Sequence, residues 1–157
     1  MPQIGENDYR DGAKERIAGA EMLLQGGQLA EAVYLAGRAV EGMLRALIWK
    51  ADPDYRLGRK PLEAGHNPRE LLAMVGELGL LSWRDDVMWY RIVSVSARWA
   101  NNMRYVPRRW IESYWRSIGV VTNTCTMKRA AGDFFNVCIK IVTRCEGIYE
   151  NIDKKYA

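Results

Sequence analysis

The chain has 157 residues, 48% of them hydrophobic, which is enough for one compact domain and leaves little room for a second. The formal net charge of +4 is too small for a general nucleic-acid-binding protein. The positive charge is concentrated, because the segment from Arg84 to Arg116 has seven arginines and three acids and so carries the same excess as the whole chain. We expect a single domain over residues 1–157, with its core between about residues 8 and 152.

Membrane, secretory and metal-dependent classes find no support in the sequence. The opening stretch MPQIGENDYRDGAKER has no apolar core, and the longest uncharged run, Ser117 to Met127, is too short to span a bilayer. We therefore expect a cytoplasmic protein. Its three cysteines form no CxxC pair and it has a single histidine, so we expect no metal or cofactor. Cys138 and Cys145 share one helix face and are predicted to be reduced core residues.

The first two predicted helices form a hairpin. Helical periods dominate the chain, and the first helix runs from about Asp8 to Gln25, where Gly26 and Gly27 end it. The second runs from about Leu29 to Lys50. So short a connection predicts antiparallel packing. The predicted core positions are Ala13, Ile17, Ala20 and Leu24 in the first helix, and Leu29, Val33, Ala36, Val40, Met43 and Leu47 in the second.

The third and fourth helices have recognisable first residues. After the loop ADPDYRLGRKPLEAGHN, Asn67 is the predicted cap and Pro68 the first residue of a helix that reaches about Leu78. The fourth opens with SWRD, where Ser82 and Asp85 resemble a capping box, and continues to about Asn102. Its apolar stripe is Met88, Ile92, Val95 and Trp99.

The C-terminal part adds a short amphipathic segment, Trp110 to Ile118, and a long helix from about Met127 to Asn151. The predicted fold class is all-α, an up-and-down helical bundle of about five main helices. The long helix has an unbroken apolar stripe of Ala131, Phe134, Cys138, Ile141, Cys145, Ile148 and Ile152.

The arginine-rich stretch WANNMRYVPRRW is the candidate binding region. Arg84, Arg91 and Arg98 recur every seven residues at the edge of the apolar stripe, where they either point into a groove or form a solvated flank. Beyond the helix end, guanidinium groups beside aromatic rings suit a phosphate or a partner's acids, although a purely structural role is equally open. The candidate binding residues are Arg98, Asn102, Arg104, Tyr105, Arg108 and Arg109.

Glu41 lies among apolar residues of the second helix, so we predict a partly buried acid that needs a cation. Arg98 or Arg104 is the expected partner in this structural ion pair.

The order of several motifs resembles the HEPN family (higher eukaryotes and prokaryotes nucleotide-binding). These motifs are LLQGGQLAEAV at the first turn, EAVYLAGRAVEGMLRALI in the second helix, HNPRELL at the third, and RY followed by Pro107 after the fourth. The resemblance implies a HEPN-like helical bundle that forms a homodimer and often has a minimal nucleotidyltransferase as partner. One branch of the family is a metal-independent ribonuclease, in which an arginine is followed a few residues later by a histidine.

That arginine and histidine pair is missing from the expected place. The only formal match, Arg59 with six residues before His66, lies in the Pro/Gly loop and is interpreted as coincidence. Cleavage without a metal needs a group that titrates near pH 7, and arginine cannot accept a proton. We therefore predict no catalytic residues.

Three functions remain open. The first is a non-catalytic HEPN protein, a homodimer paired with a nucleotidyltransferase in a toxin-antitoxin or stress system. The second is a divergent ribonuclease that uses the arginines between Arg98 and Arg109, and the third is a stand-alone RNA- or nucleotide-binding module. The expected dimer surface includes the fourth helix and the Trp110 to Trp115 segment, since the chain has six tryptophans and eight tyrosines.

Overall fold

The computed structural model describes residues 4–52, 54 and 67–156, and every regular element among them is helical. The prediction of an all-α bundle is confirmed. The described part contains one helix more than the five main helices predicted. The elements are α1 (Glu6–Gln25), α2 (Leu29–Ala51), α3 (Pro68–Glu77), α4 (Asp86–Arg98), α5 (Arg108–Ser117) and α6 (Met127–Tyr156), with 3-10 turns at Trp83–Asp85 and Asn101–Tyr105.

The hairpin of α1 and α2 is antiparallel, as predicted. Leu35 of α2 lies against Gly19 of α1, and Gly42 lies against Tyr9 and Ala13, so contact positions move in opposite directions along the two helices. The turn between them needs Gly27, whose φ of 78° is a left-handed conformation that disfavours other residues. Within the hairpin, glycines such as Gly42 allow α2 to approach α1 closely.

Helix α2 is the centre of the bundle and packs mainly on α1 and α6, and less on α3. All six of its predicted core residues are buried. In α1, Ala13 and Ala20 are buried, whereas Ile17 and Leu24 are partly buried against the same core. The 3.6-residue period thus identified the inward faces of both helices.

Local capping positions the starts of α3 and α4. The Asn67 side chain accepts a hydrogen bond from the backbone N–H of Arg69 at 3.0 Å, and Pro68 is the first residue of α3, as predicted. The capping box is present too: Asp85 Oδ2 accepts from the Ser82 N–H at 2.8 Å, and Ser82 Oγ accepts from the Arg84 N–H at 3.3 Å. It closes a 3-10 turn, after which α4 begins at Asp86.

Helix α4 ends at Arg98, not near Asn102, and this boundary prediction was wrong. Trp99 is extended, with φ −129° and ψ 140°, and its indole N–H donates to the Tyr34 carbonyl of α2 at 3.1 Å. Burying this ring against α2 stabilises the break, which periodicity alone does not show. A Cβ on Gly37 would lie 2.2 Å from the Trp99 indole nitrogen, so α2 needs a glycine there. The predicted stripe of Met88, Ile92, Val95 and Trp99 is buried.

The C-terminal elements complete the core. The short predicted helix is α5, which buries Ile111 and Trp115. All seven predicted positions of the α6 stripe are buried, including Cys138 and Cys145. In the described part of the chain, no helix combines the length and low charge needed to cross a membrane.

Candidate functional site

The candidate site is a surface built by the chain between α4 and α5. We call it the RYRRW surface: Arg104, Tyr105, Arg108, Arg109 and Trp110. All five residues are exposed, Tyr105 to 75% and Trp110 to 47%. The 3-10 turn carries the first two side chains and the first turn of α5 carries the others. Pro107 immediately precedes α5, where its fixed φ is compatible with a helix start.

Two buried tryptophans hold this surface in place. The Trp99 indole binds the Tyr34 carbonyl, and the Trp115 indole N–H donates to the Arg98 carbonyl at 2.9 Å. The Tyr114 hydroxyl donates to the Ala97 carbonyl at 2.7 Å. These bonds satisfy two of the last carbonyls of α4, which have no partner within the helix. The structure thus gives the segment a scaffold role beneath its exposed side chains.

Within the RYRRW surface Arg104 contacts the Tyr105 ring, and Trp110 packs on the neighbouring Tyr114. The Arg104 guanidinium carbon lies 4.6 Å from the centre of the Tyr105 ring, a cation–π distance. The Trp110 and Tyr114 rings are stacked, with centroids 5.6 Å apart. Hydrogen bonding to the hydroxyls of Tyr105 and Tyr34 raises the pKa of Arg104 further above its usual value. Arg104 is therefore a permanent cation.

Arg98 does not belong to the RYRRW surface, although it was predicted to form one binding region with those residues. Its guanidinium donates to the Ser94 carbonyl at 3.1 Å and to the Ser94 hydroxyl. It lines a separate pocket with Asp133 and Phe134 of α6. Arg104 instead lines a pocket with Tyr34 and Leu35 of α2. Asn102 is exposed on the 3-10 turn.

Glu41 is buried, with only 2% of its surface exposed, but its cations are not the predicted Arg98 or Arg104. Arg38 donates to Glu41 Oε2 at 2.7 Å and Arg45 to Oε1 at 3.0 Å, both from the same helix. The spacing in RAVEGMLR, three residues before and four after the glutamate, places both arginines on its helix face. The same spacing is visible in the sequence, so this local pairing was predictable, and the prediction of a distant arginine was wrong.

Asn101 connects the buried ion pairs to the RYRRW surface. Its side-chain oxygen accepts from Arg38 at 3.3 Å and from Arg104 at 3.4 Å. The cluster borders a groove of about 680 Å³ between α1 and α2, whose lining mixes three arginines with three acids. Opposite charges thus balance within this groove.

The described residues support neither thiol chemistry nor metal-dependent chemistry. Cys138 and Cys145 are buried free thiols, and burial raises the pKa of Cys145 to about 12, so neither is a reactive thiolate. Over residues 4–52, 54 and 67–156, no three potential metal ligands lie together. Arg59 and His66 lie outside the described residues.

Comparisons of the chain with protein-family models, with curated proteins and with solved structures found no match.

Proposed function

We propose that the protein is a non-catalytic, HEPN-like binding module in which the RYRRW surface holds an anionic partner. The observation that carries the proposal is the exposure of three arginines and two aromatic side chains on the 3-10 turn and the start of α5, a segment whose flanks are held by indole hydrogen bonds. Burying such side chains against a partner would remove apolar ring surface from water and pair the guanidinium groups with acids or phosphates.

A binding role explains this surface better than a catalytic one. Arginine stays protonated near pH 7 and cannot take the proton of a ribose hydroxyl. The RYRRW surface consists of three arginines, a tyrosine and a tryptophan, and contains no histidine or carboxylic acid to serve as a general base.

The proposed partner is a minimal nucleotidyltransferase, with this protein as the homodimeric, non-catalytic member of a toxin-antitoxin or stress pair. The resemblance in the motif order supplies both the partner and this setting. Acidic side chains of such an enzyme would meet Arg104, Arg108 and Arg109. Single-stranded RNA or a nucleotide is the second candidate ligand, favoured by the exposed Trp110 ring, on which a base could stack.

Two assays test the proposal. In the first, the products of the genes on either side are co-expressed and co-purified with the protein. We expect a complex with a minimal nucleotidyltransferase that Arg104→Ala weakens and Lys128→Ala, which removes an exposed cation on α6, does not. In the second, labelled single-stranded RNA is incubated with the protein and a chelator, and the RNA should stay intact. If the RNA is cleaved and Arg104→Ala abolishes the cleavage, the ribonuclease hypothesis replaces this proposal. If the protein binds the RNA without cleaving it and forms no complex with a nucleotidyltransferase, the RNA-binding module is favoured.

A further inference from the structure

A cationic cleft of about 500 Å³ lies between α4 and α6, built from residues other than those of the RYRRW surface. It is a shallow cleft, largely open to solvent, with a volume comparable to that of small-molecule sites. Among the described residues, every charged side chain in its lining is a cation, and the lining is mostly apolar. The lining residues are Arg91, Ile139, Lys140, Thr143, Arg144 and Gly147.

Arg144 is held in place at the edge of this cleft. Asp85 accepts hydrogen bonds from its Nε at 2.5 Å and its Nη2 at 3.2 Å. The remaining nitrogen, Nη1, lies 3.9 Å from the position of a Cβ on Gly147, which lines the cleft. Among the described residues, Nη1 has no hydrogen-bond partner. The Asp85 carboxylate therefore holds Arg144 through Nε and Nη2 and leaves Nη1, with its two N–H groups, beside the cleft residue Gly147.

The other two cations lack compensating acids. Within the part of the chain that the structure describes, neither Arg91 nor Lys140 forms a salt bridge. Arg91 is half-buried and comes from α4, whereas the exposed Lys140 comes from α6. Cations from two helices thus face one space without an acid in its lining, and an anionic ligand would relieve their repulsion.

We propose that this cleft binds a phosphomonoester with a small apolar body. A phosphate group has three free oxygens, which can accept from Arg91, Lys140 and Arg144 together, and guanidinium groups match phosphate geometry well. The aliphatic side chain of Ile139 and the uncovered backbone at Gly147 leave room for the apolar part of the ligand. This site is independent of the proposed function, because it shares no residue with the RYRRW surface.

Phenyl phosphate is the probe. It is titrated into ¹⁵N-labelled protein at constant ionic strength, and amide chemical shifts report both affinity and location. We expect saturable binding with a Kd in the millimolar range or tighter, with shifts centred on Arg91, Thr143 and Gly147. Arg91→Gln and Lys140→Gln should each weaken binding about tenfold. Inorganic phosphate should bind more weakly than phenyl phosphate, because it lacks the apolar body.

Gly147→Leu provides a test that changes no charge. Gly147 lies inside α6, and the nearest atom to a Cβ built there is the Arg144 Nη1 at 3.9 Å, so leucine would enter the cleft without displacing the backbone. Leucine also favours helix more than glycine does, so this variant should fold. It should abolish phenyl phosphate binding.

Charge-matched controls separate a built site from diffuse attraction. Lys128→Gln removes an exposed cation at the N-terminal end of α6, and Arg104→Ala removes one from the RYRRW surface. Both variants should bind phenyl phosphate as the native protein does. The proposal is overturned if binding does not saturate, if Lys128→Gln weakens it as much as Lys140→Gln, or if Gly147→Leu has no effect. Equal affinity for inorganic phosphate would overturn the apolar part of the ligand assignment.

Discussion

Glu41 and Glu112 are both glutamates paired with arginines of their own helix, but in different surroundings. The Glu41 side chain is 3% exposed and binds Arg38 and Arg45, whereas Glu112 is 36% exposed, with Arg108 and Arg116 at 3.9 and 3.8 Å. Water compensates for a broken pair at the surface, but a buried cation that loses its carboxylate is not resolvated.

We predict that Glu41→Gln lowers the free energy of unfolding by about 3 kcal/mol, because it removes the charge of a buried carboxylate that accepts from both Arg38 and Arg45. The matched control, Glu112→Gln, should change it by less than about 1 kcal/mol. Urea unfolding followed by tryptophan fluorescence measures both. Equal, small effects of the two substitutions would show that Glu41 has no structural role as an ion-pair partner.

At the scale of elements, the Asp85 carboxylate connects the start of α4 to the middle of α6. It accepts from the Ser82 backbone in the capping box and from Arg144 across the helix interface. The hydrogen bonds from Arg144 and then those from Ser82 hold the pKa of Asp85 below its usual 3.8, and burial opposes them. One side chain therefore contributes both to a helix start and to the packing of two helices.

The Asp85 carboxylate should make stability depend on pH in a defined direction. Since its pKa is lower in the folded than in the unfolded chain, its contribution is complete above about pH 4 and is lost as pH falls through the folded value. At pH 7 we expect Asp85→Asn to cost about 1 to 2 kcal/mol, a modest figure because Arg144 is 40% exposed. Urea unfolding of both proteins at pH 7 and pH 3 should show the difference shrinking in acid; a difference that grows in acid would contradict the assignment.

At the scale of the whole molecule, large apolar side chains are exposed around the start of α4. Val87 and Tyr90 of α4 are 52% and 74% exposed, and their spacing of three residues places them on one side of the helix. Trp83, in the 3-10 turn just before α4, is 78% exposed. Of the predicted interface segment, Trp110 is exposed, whereas Trp115 is completely buried and belongs to the monomer core. The candidate surface for pairing is therefore narrower than the sequence indicated.

We predict a homodimer that uses this surface around the start of α4, because large apolar side chains exposed close together in the chain favour association. Light scattering at micromolar concentration should give twice the monomer mass of 18.0 kDa. Replacing Trp83 and Tyr90 by serine should give a monomer. The control, Met22→Ser, alters a side chain of α1 that is 74% exposed and should leave the dimer intact. A native protein of monomer mass would refute the prediction.

The sequence by itself determined which segments are helical and which faces are buried. Caps such as Asn67 and Ser82 act within three residues, and the apolar stripe of α6 follows from a period that any straight helix must obey. The same local reasoning would have identified Arg38 and Arg45 as partners of Glu41, since their spacing is fixed by the helix.

Only the tertiary structure decided where α4 ends and which arginines share a surface. The helical pattern predicted to reach Asn102 is interrupted by the burial of Trp99, whose indole N–H donates to a carbonyl of α2 more than sixty residues earlier in the chain. The chain turns at that break. Arg98 therefore lines a pocket with α6 and Arg104 a pocket with α2, although the two arginines are only six positions apart. Likewise, Arg91 meets Lys140 and Arg144 only because α4 packs on α6. Contacts between distant segments leave no periodic trace, which is why these features could not be predicted from the sequence.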